Sequence, residues 1–128
     1  MKSDALYVRY QSPNPNWRGH HPGVFALING LHQDGALTEA EERFVRTSND
    51  WYNASYTDPS TIDPDVYDRE LHPLAAAWFK TSSAHPVDRI AGYIDVLTVH
   101  GVDCVAFYSD SPGVVIYEDD DQVIVKPV

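Results

Sequence analysis

The stretch Ile90-Ala91-Gly92-Tyr93-Ile94-Asp95-Val96-Leu97-Thr98-Val99-His100-Gly101-Val102-Asp103-Cys104-Val105-Ala106-Phe107-Tyr108 changes its hydrophobic period at Gly101. Ahead of that glycine, Val87, Ile90, Ala91, Ile94 and Leu97 recur at helical spacing, which predicts a helix over about 86–100. Gly101 is the stop, and His100 sits in the last turn, where the helix dipole favours a cation. Beyond it, Val102 to Tyr108 is rich in β-branched and aromatic residues and reads as a strand. A switch of this kind points to helices and strands kept in separate blocks of the chain.

Downstream, Ser111-Pro112-Gly113 is a tight turn, with proline and glycine in the two central places that suit them. Val114–Tyr117 and Gln122–Lys126 are two further strands, joined by the acidic run Glu118-Asp119-Asp120-Asp121. Connections this short demand antiparallel neighbours, so a three-stranded meander is expected at the C-terminal end. Ala5–Tyr10 reads as a strand of the same sheet.

Upstream of the decisive stretch the signals are helical. Val24, Leu27, Ile28 and Leu31 form one stripe, predicting a helix over 23–33 that ends at Gly35. Thr38-Glu39-Ala40-Glu41 is a capping box, and Phe44, Val45, Ser48, Trp51 and Tyr52 share a face of the helix that follows, at about 39–54. Two Asp-Pro pairs punctuate the next loop, and Asp63-Pro64 is expected to open a short helical turn. Leu74, Ala75, Trp78 and Phe79 suggest a short helix from Pro73. The expected fold is one α+β domain over 1–128: an antiparallel sheet of the N-terminal strand plus the C-terminal meander, with a central helical block packed on one face.

Composition bounds the function. The 128 residues carry 19 carboxylates against 9 lysines and arginines, a net charge of −10. That balance argues against direct nucleic-acid binding and leaves a basic protein as the partner electrostatics would favour. Ten of the carboxylates lie within 34–70 and eight within 88–121, which also suits a solvated surface. No apolar run approaches a membrane span and Met1-Lys2-Ser3-Asp4-Ala5 has no signal-peptide core, so a cytoplasmic protein without membrane partners is expected.

Catalytic patterns are sparse. His20, His21, His32, His72, His85 and His100 show no pair at helical ligand spacing, so neither a metal nor another cofactor is expected. Cys104, the single cysteine, is expected mid-strand as a buried, inert thiol. Gly19, Gly23, Gly30 and Gly35 fit no phosphate-binding loop. Arg9 on the first strand and Glu118 near a late strand match the layout of ADP-ribosyltransferases at single residues only, which assigns no family.

The suggestive residues are aromatic and polar. Trp17-Arg18-Gly19-His20-His21 precedes the first helix, and Asn49-Asp50-Trp51-Tyr52-Asn53 closes the second, with Tyr56 after it. Packing in the helix face explains Trp51 and Tyr52, but nothing in the local pattern explains Trp17. If the two helices pack antiparallel, Trp17, Arg18 and His20 arrive near Asn49, Asp50 and Tyr52. The function expected is a small acidic binding or regulatory domain that recognises a protein or small molecule through this surface. The alternatives are a small enzyme with a polar pocket between helices and sheet, using Arg9, Tyr10, Arg18, His20, Asn49, Asp50 and Glu118, or a homo-oligomeric subunit, a homodimer in the simplest case.

Overall fold

A computed structural model describes residues 5–17, 19–68, 70–82 and 88–126. Its elements, in chain order, are β1 (Tyr7–Gln11), α1 (Val24–Gln33), α2 (Glu39–Ser55), β2 (Ala76–Lys80), α3 (Asp88–Val99), β3 (Val105–Ser109), β4 (Val114–Glu118) and β5 (Gln122–Lys126). The α+β class with an antiparallel sheet stands as expected from sequence. The described residues divide into two compact units, one drawn from Met1–Arg9, Tyr56–His85 and Ala106–Val128, the other from Tyr10–Ser55 and Pro86–Val105.

The first unit is the sheet, with strand order β3-β1-β2-β5-β4. Two expectations are corrected by it. The segment 76–80, read as helix, is a strand in the centre of the sheet, pairing with β1 (Val8↔Phe79) and with β5 (Ala77↔Ile124). The apolar spacing of Leu74, Ala75, Trp78 and Phe79 fits a helix, but backbone partners on both sides override that local pattern. The C-terminal strands also do not form a three-stranded meander: β4 and β5 are a hairpin, while β3 joins β1 at the opposite edge. There the Leu6 N–H donates to Asp110 Oδ1 at 2.9 Å, which brings the start of β1 to the end of β3.

β5 holds this unit together. Val123, Ile124 and Val125 are fully buried, as expected of a strand covered on both faces and paired on both sides. Arg9 is buried as well, and its guanidinium donates to the Ala77 carbonyl at 2.9 Å. In the loop before β2, Asp63 caps the turn read from sequence, its carboxylate accepting from the Asp65 N–H at 3.1 Å and its carbonyl from the Val66 N–H at 3.1 Å, and a 3-10 turn precedes it at the other Asp-Pro pair, opened by Asp58. The Asp58 carboxylate accepts from the Ser60 N–H at 3.0 Å, with Pro59 at the first position of a 3-10 turn over Pro59–Thr61.

The second unit is the three helices. α1 ends at Gln33, with Asp34 as its cap and the left-handed Gly35 after it, and α2 begins with the capping box read from sequence: the Glu41 carboxylate accepts from Thr38 N–H at 2.8 Å, and the Thr38 hydroxyl accepts from Glu41 N–H at 3.2 Å. Two histidines converge on this turn, His32 of α1 on Glu42 at 2.8 Å and His100, just past the end of α3, on Glu41 at 2.9 Å. At the far end, the rings of Phe25 and Tyr52 meet edge-on at 5.2 Å, so α1 and α2 run antiparallel. α3 lies against both and inserts Tyr93, which is fully buried among Phe25 (5.5 Å), Phe44 (5.6 Å) and Tyr52 (6.1 Å between ring centres).

α3 closes at Gly101, whose φ of +73° lies where glycine carries no Cβ penalty. Gly101 N–H donates to Thr98 O at 3.0 Å and Val102 N–H to Leu97 O at 2.9 Å, the paired bonds of a Schellman cap. The start of this helix as read from sequence, near residue 86, lies outside the described residues. Cys104 is corrected too: the cap delays the ladder until Val105, so the cysteine precedes β3 and is half-exposed.

Gly92 sits against the Phe44 ring, and a Cβ there would overlap it. Gly92→Ala therefore gains about 1 kcal/mol of helix propensity but loses about 1–3 kcal/mol by overpacking. Urea unfolding is expected to show net destabilisation, relieved in the Gly92→Ala/Phe44→Leu double variant relative to the sum of the single changes.

Candidate functional site

The segment before α1 is a closed hairpin rather than an open Pro/Asn loop. Gln11 pairs with Gly23, and Ser12 N–H donates to Pro22 O at 2.9 Å. His21 Nδ1 lies 2.9 Å from the Ser12 carbonyl; the carbonyl can only accept, so this nitrogen carries the proton. Nearer the tip, Asn16 N–H donates to His20 O at 2.8 Å and Gly19 N–H to Asn16 O at 2.9 Å. The Asn16 side chain also accepts from His20 N–H at 3.0 Å. Gly19, at φ +77°, takes the left-handed conformation just before the chain returns to His20. Trp17 occupies the tip and is 92% exposed. Arg18 lies outside the described residues.

The other half of the sequence-derived site is built differently. Tyr52 is buried and packs edge-on against Trp51 at 4.9 Å as well as against Phe25. Asn49 is exposed as a residue, but its Oδ1 accepts the Tyr93 hydroxyl proton at 2.5 Å. Asp50 lies beside it, exposed. Asn49 and Tyr52 thus serve the helical core, while Trp17 faces outward at the end of a braced hairpin and His20 is half-buried behind it. The spacing of Phe44, Val45, Ser48, Trp51 and Tyr52 carried the packing role of the α2 face; the hydroxyl of Tyr93 reaching Asn49 left no local trace in sequence.

A second polar group went unread in the acidic run. Asp119 folds the β4–β5 connection around itself: Oδ1 accepts from the N–H groups of Asp121 (2.8 Å) and Gln122 (3.0 Å), and Oδ2 from the Tyr117 hydroxyl (2.8 Å). The buried Gln122 amide bridges onward, donating to Asp119 at 3.2 Å and to Thr57 O at 2.7 Å. Lys80 pairs with Glu118 at 2.6 Å. Burial pushes the Asp119 carboxyl up, but the hydrogen bonds from Asp121, Tyr117 and Gln122 outweigh it and hold the carboxyl below its ordinary range. Burial and the Asp119 contact push Tyr117 up to about 12, so it is a neutral donor at physiological pH. The chemistry here is that of a turn held shut.

Among the described residues, no three His, Cys, Asp or Glu side chains are grouped to hold a metal ion, and no helix is long and apolar enough to cross a membrane. Comparison with protein-family models, curated proteins and solved structures finds no match to this chain.

Two measurements check these assignments. Asn49→Ala leaves the Tyr93 hydroxyl without its acceptor and is expected to cost about 1–2 kcal/mol in urea unfolding. Added to Tyr93→Phe it should cost little more, because the bond is already gone. The acid limb of the stability curve checks the carboxylates. Glu41 is lowered first by the Thr38 N–H and then by His100, Asp58 by the hydroxyl and N–H of Ser60, and Asp119 by the bonds above. Folded values below the unfolded ones contribute stability that is present above about pH 4 and lost as pH falls through the folded values. Asp119→Asn and Glu41→Gln should each flatten that loss between about pH 5 and pH 2.

Proposed function

We propose that this chain is a binding domain that engages a protein partner through the Trp17 hairpin. The observation that carries the reading is a tryptophan 92% exposed at the tip of a loop braced by four backbone hydrogen bonds or pairings. Leaving a large aromatic surface in water is unfavourable by some 25 cal/mol per Å², and burying it in a complex recovers that. Tryptophan is also the residue type most enriched where interface energy concentrates, and a braced loop loses little entropy on docking. A small-molecule partner fits less well, because a pocket encloses its ligand whereas a tip residue is itself enclosed. The net charge of −10 favours a basic partner and speeds its encounter.

Two readouts test the reading. Trp17→Ala should leave the melting temperature within the range of a surface change while weakening capture of the partner identified with the wild-type chain by at least tenfold. Iodide should quench the emission of Trp17 in the isolated protein and lose that access in the complex, with Trp17→Phe as the reference for Trp51 and Trp78. A complex that forms with Trp17 still open to iodide would rule out the hairpin as the contact.

A further inference from the structure

Inside the helical unit, the first turn of α2 receives a histidine from each of the other two chain segments. His32, in the last turn of α1, sets Nδ1 at 2.9 and 2.8 Å from the two carboxylate oxygens of Glu42. His100, one residue past α3, sets Nε2 at 2.9 Å from Oε1 of Glu41. A carboxylate can only accept, so each of these ring nitrogens carries a proton. The tautomers follow: His32 Nε2 and His100 Nδ1 are the nitrogens that can take up another. The His32 side chain is 55% exposed and that of His100 20%, so water reaches both.

We propose that the two histidine–glutamate contacts form a proton-operated clasp, which tightens the junction of the three helices as the surroundings acidify from about pH 8 to about pH 5.5. One proton from solvent on His32 Nε2 and one on His100 Nδ1 turn two neutral hydrogen bonds into two ion pairs, and charge-assisted bonds of this kind are the stronger ones. The helix termini act in the same sense. Both rings stand at helix C-terminal ends, which favour cations, and both carboxylates stand at a helix N-terminal end, which favours anions. Next to them in the chain are the exposed carboxylates Asp34, Glu39 and Asp103 and the exposed cations Arg43 and Arg46. The sign of the linkage is fixed by the pairs: the folded unit holds protons that the unfolded chain binds less tightly, so the clasp's contribution grows as pH falls through this range and is lost again as pH rises. On the acid side the clasp lasts until the glutamates are protonated. Glu41 is held below the ordinary carboxylate range, first by the Thr38 N–H and then by His100, which extends that limit downward.

The test compares urea unfolding of the full chain with that of His32→Asn/His100→Gln at about pH 8 and about pH 5.5. Asparagine and glutamine keep a neutral N–H donor but take up no proton. The other histidines are the same in both proteins and cancel in the comparison. At the higher pH the variant should differ from the wild type by no more than a surface change does. At the lower pH its folding constant should fall further behind, by roughly 2- to 30-fold, the range that two surface ion pairs span. Amide exchange should place the protection gained on acidification within 38–42 and 97–102. Glu42→Gln keeps both rings and removes one anion; its deficit should also be larger at the lower pH, and it decides the matter where the double variant does not fold. A deficit equal at both pH values, a variant more stable than the wild type at the lower pH, or protection gained only elsewhere would each overturn the proposal.

Discussion

Tyr93 is the constraint on which the helical unit depends. Its ring is fully buried and meets Phe25 of α1 and both Phe44 and Tyr52 of α2, so one side chain of α3 touches both of the other helices. An aromatic ring in that position contributes dispersion contacts on all sides, but leaving its hydroxyl unpaired there would cost about 1–3 kcal/mol. Asn49 resolves the conflict from the α2 surface. Gly92, one residue earlier, resolves the steric side by letting the Phe44 ring lie close to the α3 backbone. The adjacent pair Gly92-Tyr93 therefore provides both the space and the content of the packing.

The sheet depends on pairing that is remote in sequence. β2 is joined to β1 across some seventy residues and to β5 across more than forty. That remoteness explains what could be read and what could not. The cap at Gly101, the capping box at Thr38 and the β4–β5 hairpin are local, and each was legible because its partners lie within a few residues. The strand at 76–80 was not, since Leu74, Ala75, Trp78 and Phe79 satisfy a helical spacing, and only the edges offered by β1 and β5 decide otherwise. β3 was legible as a strand but not by its neighbour, because a short connection permits a hairpin without requiring one. The division into two units left no linker to find, since each takes its residues from separated stretches of chain.

The candidate site divides along the same line. Trp17 stood out because no helix face or strand alternation accounted for it, and its 92% exposure agrees with that. The hairpin that holds it was hidden, because Pro13 and Pro15 read as an irregular loop while the closing bonds lie at Ser12, Asn16 and His20–Pro22. Asn49 and Tyr52 read as polar and aromatic surface, yet their bonds and ring contacts turn into the core. In the acidic run, charge density concealed a division of labour: Asp119 accepts four hydrogen bonds within its own turn, while the exposed Asp120 beside it meets solvent.

The position of β5 bears on how the protein is made. The strand buried most completely in the sheet is also the last of the five to leave the ribosome. Until residues 122–126 emerge, β2 has an open edge, and the apolar face that Val123, Ile124 and Val125 will fill remains wet. Synthesis at about 5–20 residues per second leaves that edge open for several seconds after β2 appears. A nascent chain in that state is a template for wrong strand partners, including its own copies on neighbouring ribosomes. Substitutions that slow elongation or weaken β5 would therefore reduce yield more than their effect on the finished fold suggests.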